Sequence, residues 1–144
     1  MNEVQKRQSA LVSEFSQIAE WEDRYKKIID LGKALPGLAD EHKIERNIIK
    51  GCQSQVWLVA KLNDKGEMIL EGDSDALLVK GLVAVMLRVY SGVMPEDILK
   101  SDTQFLKDMG FESHLSPSRA NGVHSMLKQI KLFATAFSLL KQRT

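Results

Sequence analysis

The stretch Ala76-Leu77-Leu78-Val79-Lys80-Gly81-Leu82-Val83-Ala84-Val85-Met86-Leu87 is apolar on nearly every side, and a helix without a polar face has to be buried. A fold for this chain must therefore place one helix inside. Asp73 or Ser74 is positioned to accept hydrogen bonds from its first free N–H groups, and Asp75 to complement the positive end of its dipole. Gly81, in its middle, costs up to about 1 kcal/mol relative to alanine, which reads as room for a neighbouring backbone to approach.

Two periodicities organise the remainder. Leu11, Phe15 and Ile18, then Trp21, Tyr25, Ile28, Ile29 and Leu35, recur at spacings of three and four with a register shift near Ala19-Glu20. They predict two helices, the second stopped before Pro36-Gly37, because proline pushes the preceding residue out of helical geometry. A polar connector runs from Ala39 to Asn47. Beyond it the period becomes two: Val56, Leu58, Ala60 and Leu62 share one face and Trp57 and Val59 the other. Asn63-Asp64-Lys65-Gly66 supplies a turn and Met68-Ile69-Leu70 begins the return strand of a hairpin. Ile48-Ile49 reads as a short further strand, for a small antiparallel sheet of about three strands.

Shorter helices open at Pro95 and at Ser101, where Ser101-Asp102-Thr103-Gln104 fits a capping box and Gly110 a terminator. The last helix starts with Ser116 as cap and Pro117 at its first position, and Met126, Leu127, Ile130, Phe133, Ala134, Phe137 and Leu140 form its buried stripe. The whole, residues 1–144, reads as a single α+β domain with a small antiparallel sheet covered by helices.

Composition removes several functional classes. Hydrophobic residues at 44% and charged residues at 27% are ordinary for a folded protein. With 20 Lys plus Arg against 19 Asp plus Glu, a net charge of +1 gives no electrostatic footprint for nucleic acid. The polar start Met1-Asn2-Glu3-Val4-Gln5-Lys6-Arg7 lacks the apolar segment of a secretory signal, and no apolar run is long enough to span a membrane. A cytoplasmic, reducing location is expected.

Nor is there a glycine-rich nucleotide loop, a nucleophile elbow or a His-Glu-x-x-His zinc motif. His42, His114 and His124 are scattered and read as surface or capping residues. Glu71, Asp73 and Asp75 lack the downstream glycine and glutamate of a calcium loop. What is left is one cysteine, Cys52, in Gly51-Cys52-Gln53-Ser54-Gln55-Val56-Trp57. A lone cysteine forms no internal disulfide. Its polar neighbours argue against simple packing, yet from the residues alone a buried core thiol and a reactive thiol are evenly matched. Arg119, a cation in the first turn of a helix, opposes the dipole; it reads as a solvated arginine or as the partner of an anion such as Asp75 or Cys52.

Taken in order, Trp21-Glu22-Asp23-Arg24-Tyr25, Leu31-Gly32-Lys33-Ala34-Leu35-Pro36, Gly51 to Trp57, Gly72-Asp73-Ser74-Asp75, Val79-Lys80-Gly81-Leu82 and Leu115-Ser116-Pro117-Ser118-Arg119-Ala120-Asn121-Gly122 resemble the SufE family of sulfur acceptors almost end to end. Gln53-Ser54-Gln55 after the cysteine is similar to the Suf branch, whereas an acidic residue there would suit the related CsdE branch. The resemblance implies a SufE/IscU-like α+β fold and a carrier that is not a free-standing enzyme. Cys52 takes the place of the sulfur-accepting cysteine, which receives persulfide sulfur from a SufS-like cysteine desulfurase and passes it to a SufB or SufBCD-like cluster scaffold. The chain itself would hold no cofactor and no metal, since pyridoxal phosphate (PLP) belongs to the desulfurase. Gly51 would free the loop backbone, Lys50 and Arg119 would favour the thiolate, Gln53 would flank it, and Asp75 would hold the loop or meet the desulfurase. A homodimer is left open.

Two rivals compete with the carrier. A cluster scaffold would need about four ligands where this chain has one cysteine. A regulatory subunit would bind and stimulate the desulfurase without taking sulfur.

Overall fold

The computed structural model describes residues 1–143, and the side chains of residues 1–141. In chain order it contains α1 (Glu3–Ser16), α2 (Trp21–Ala34), β1 (Val56–Leu62), β2 (Met68–Ser74) and α3 (Leu77–Tyr90). Three short helices follow, α4 (Pro95–Leu99), α5 (Gln104–Asp108) and α6 (Phe111–His114), and then the long α7 (Pro117–Arg143). Single 3-10 turns, Asp40–His42 and Glu45–Asn47, occupy the polar connector.

The apolar segment is the central helix α3. Leu82, Val85 and Val89 are fully buried and Val83, Met86 and Tyr90 nearly so, covered by α1, α2, β2 and α7. Against α2 it packs glycine to glycine. A Cβ at Gly32 would lie 2.6 Å from the Gly81 nitrogen, and one at Gly81 would lie 2.2 Å from the Ile28 carbonyl oxygen, so only the absence of side chains permits this separation. Glu14 of α1 ties the layer together by pairing with Lys27 of α2 at 2.6 Å and with Arg88 of α3.

β1 and β2 form an antiparallel hairpin, with Val56 opposite Ser74 and Leu62 opposite Met68. Val56, Leu58, Met68 and Leu70 are buried, as is Trp57 on the other face, where the Lys43 ammonium of the connector sits 5.6 Å from the indole ring centre. The sheet has two strands where about three were expected. Ile48 makes a single bridge to Trp57, and Ile49 N–H donates to Val56 O at 2.8 Å. The chain then turns away at Lys50-Gly51, so pairing ends after one rung.

Other local expectations are corrected by the partners these side chains find. Neither Asp73 nor Ser74 caps α3, whose cap position is Ala76 with no side-chain bond. Asp73 is instead 4% exposed. It accepts from Leu38 N–H at 3.1 Å and Ser74 N–H at 2.8 Å and pairs with Lys43 and Lys80. The capping box at Ser101 is not formed, because α5 starts only at Gln104 and the Ser101 hydroxyl donates back to Asp97 O at 2.6 Å. In α7 the stripe is buried at Met126, Leu127, Ile130 and Ala134, but Leu140 is 53% exposed. A helix of 27 residues is about 40 Å long, more than the layer beside it covers.

Candidate functional site

The cysteine loop is pinned at both ends by backbone hydrogen bonds. At its start, Ile49 N–H donates to Val56 O. At its end, Gln55 N–H donates to the Asp75 carboxylate at 3.0 Å, while Gln55 O accepts from Asp75 N–H and from the Ser74 hydroxyl. Gly51 takes φ +93, a backbone conformation closed to most side chains. A Cβ there would also lie 2.7 Å from the Ser125 hydroxyl of α7.

Between these anchors Cys52 is half-buried, and its thiol donates a weak hydrogen bond to Gly122 O of α7 at 3.8 Å. Burial pushes the thiol pKa up from the ordinary value, because a thiolate loses hydration there. In this arrangement the sulfur rests as a protonated thiol.

Cys52 opens onto a cavity of about 610 Å³. Its walls come from the first turn of α3 (Leu77 to Val79), from Leu82 and Met126, and from Ser116, Ser118, Arg119 and Gly122 at the start of α7. The cavity is therefore largely apolar, yet the N-terminal turns of two helices border it and bring partial positive charge; in α7 the Arg119 N–H is already capped by the Ser116 hydroxyl at 3.3 Å. Arg119 is exposed, and among the described residues its side chain makes no ion pair.

Of the residues singled out in the sequence, Cys52, Gln53 and Arg119 meet at this cavity. Gly51 shapes the turn behind the thiol. Asp75 does not pair with Arg119; it clasps the end of the loop through Gln55. Lys50 does not line the cavity and lies on a separate groove. Gly122 and Ser125 were missed as site residues. Their signal was present in the small residues Ser118, Gly122 and Ser125 at spacings of four and three, which put a narrow face of α7 against the loop.

None of the three histidines lines the cavity. His114 stacks on Trp21 with ring centres 4.1 Å apart, and His124 lies 3.8 Å from Glu112. Among the described residues no group of histidine, cysteine and carboxylate side chains is arranged to hold a metal ion, and no helix is long and apolar enough to cross a membrane.

Comparison with known proteins bears on the family and the fold. A sequence model of the SufE family, described as an Fe-S metabolism associated domain, matches residues 9–134. The fold is similar to the solution structure of a hypothetical protein from Thermus thermophilus, with a TM-score of 0.77 at 18% identity, covering 92% of this chain and 96% of that one.

Proposed function

The chain belongs to the SufE family and so to iron–sulfur metabolism, and from that premise we propose that it is a sulfur carrier that uses Cys52 to accept persulfide sulfur from a PLP-dependent cysteine desulfurase. One observation carries the reading: the lone thiol sits on a glycine-hinged turn at the mouth of a cavity bordered by Arg119 and two helix N-termini.

In the transfer, Cys52 sulfur attacks the terminal sulfur of the donor's persulfide. The donor's S–S bond breaks and its electron pair leaves on the donor cysteine, which takes up the proton released by the Cys52 thiol. Donor persulfide plus thiol becomes donor thiol plus Cys52 persulfide, and no outside oxidant is consumed. The rate follows the thiolate fraction of the attacker and the stability of the leaving thiolate. As the thiol rests, burial and the bond to Gly122 O favour its protonated form. Productive transfer therefore includes a movement of residues 50–54, hinged at the Ile49 and Gln55 anchors, that breaks the bond to Gly122 O and carries the sulfur toward Arg119 at the cavity mouth. The cationic Arg119 and the helix N-termini then favour the charged sulfur. Delivery to a SufB or SufBCD-like scaffold repeats the exchange with Cys52 as the donor.

Alanine formation by a SufS-like desulfurase, measured with and without the chain, tests the proposal. The wild-type chain raises turnover and Cys52→Ser does not, although it still binds. Equal stimulation by both would transfer the assignment to a regulatory subunit that carries no sulfur.

A further inference from the structure

Behind the cysteine loop, on the side of Lys50, lies a second groove of about 440 Å³. Arg46 from the second 3-10 turn, Lys50 from the cysteine loop and Lys128 from α7 line it, with no carboxylate among the lining residues. All three are exposed, and among the described residues none has an ion-pair partner. Single exposed cations without an ion pair among the described residues, such as Lys6 and Lys107, occur elsewhere on the surface; here three share one groove. In a chain of net charge +1, three unanswered cations in one groove cost self-repulsion that a partner of opposite charge would relieve. Apolar Ile48 and Leu132 line the same groove, and Leu132 is 54% exposed.

From this we infer that the groove docks a segment of the sulfur donor in which Asp or Glu residues alternate with apolar side chains, an inference that rests on the carrier reading above. The apolar lining that accompanies the cations suits such a polypeptide. It suits single-stranded nucleic acid poorly, since no aromatic side chain lines the groove for base stacking. Position supplies the function. Ser125, also on the groove wall, backs directly onto Gly51, so a segment seated here is one residue from Cys52 and sets the donor's sulfur beside the loop without entering the thiol cavity.

The test compares the wild-type chain with Arg46→Glu/Lys128→Glu and with Lys6→Glu/Lys107→Glu, a control pair of exposed residues away from the groove. With a cysteine desulfurase and cysteine, the groove variant raises the KM for the chain by about tenfold or more and flattens its salt dependence, leaving the rate at saturation unchanged. The control pair keeps the wild-type KM. The same comparison in a Cys52→Ser background, read as desulfurase affinity, removes chemistry from the measurement. Groove variants with wild-type KM, affinity and salt dependence overturn the docking inference while loading of Cys52 still supports the carrier. Charge-sensitive binding without any loading of Cys52 keeps the groove and removes the carrier. A duplex DNA oligonucleotide that binds more tightly than the desulfurase, and is released by the reversal, assigns the groove to nucleic acid and overturns the inference.

Discussion

At the scale of single residues, the loop depends on Gly51 for two separable reasons, its φ of +93 and the 2.7 Å approach of Ser125 to the place of a side chain. A left-handed backbone costs a non-glycine residue about 1–2 kcal/mol, and steric overpacking adds to it. Gly51→Ala is therefore expected to lower stability by about 1–3 kcal/mol in denaturant titration. Ser125→Ala removes the close hydroxyl and leaves the Ser125 Cβ at 3.6 Å, an ordinary contact, so the double variant recovers the steric part and keeps the backbone part. A double variant no more stable than Gly51→Ala would show that Ser125 exerts no pressure on the turn. Gly122 matters in another way: its carbonyl holds the thiol, and a Cβ there would sit 3.4 Å from the Cys52 sulfur, in space a second sulfur could use.

At the scale of elements, the contact of α2 with α3 turns on Gly32 and Gly81. Alanine is the better helix former by about 1 kcal/mol, but a Cβ at Gly81 would meet the Ile28 carbonyl at 2.2 Å and cannot be accommodated without separating the helices. Gly81→Ala should thus destabilise by about 1–3 kcal/mol or more; a gain in melting temperature would refute the close packing. The Gly81 side of this contact was legible in the sequence, since a glycine inside an apolar helix needs a reason, whereas its partner Gly32 was not. Equally legible were the two N-terminal helices, the hairpin and the start of α7, whose signals are local periodicity, a turn and a cap. Asp73 was misread because its motif is local while its partner is not, Leu38 lying 35 residues away; Ser101 was misread because its hydroxyl turns back to the Asp97 carbonyl, four residues earlier, in place of the expected cap contact. The third strand failed for a related reason, as Ile48-Ile49 has strand composition but the loop needs the chain to turn next. At the site, Cys52 and Arg119 stood out by chemistry, whereas Gly122 and Ser125 contribute a carbonyl and a small surface that only the packing of α7 reveals.

At the scale of the whole molecule, titration sets the limits of stability. Hydrogen bonds from Arg88 and Lys27 bring the Glu14 carboxyl from 4.5 down to about 2. Burial opposes ionisation of Asp73, but the N–H groups of Leu38 and Ser74 and the ammoniums of Lys43 and Lys80 outweigh it and hold that carboxyl below its ordinary value. A carboxyl depressed on folding stabilises the native state fully above its unfolded pKa, and that contribution is lost as pH falls through the folded value. For Glu14 the window runs from 4.5 to about 2. Tyr90 acts at the other end: burial raises its phenol from 10.0 to about 12, so its contribution is present below 10.0 and lost as pH rises through about 12. In urea titrations across pH, Glu14→Gln should flatten the acid arm and Tyr90→Phe the alkaline one, and unchanged slopes would contradict these assignments. The protein is thus expected to be most stable between these acid and alkaline limits. The most direct measurement is the intact mass of the chain after incubation with a cysteine desulfurase, PLP and cysteine. The account predicts a gain of one sulfur atom at Cys52 that a reductant removes and that Cys52→Ser lacks; an unchanged mass alongside vigorous desulfurase turnover would contradict it.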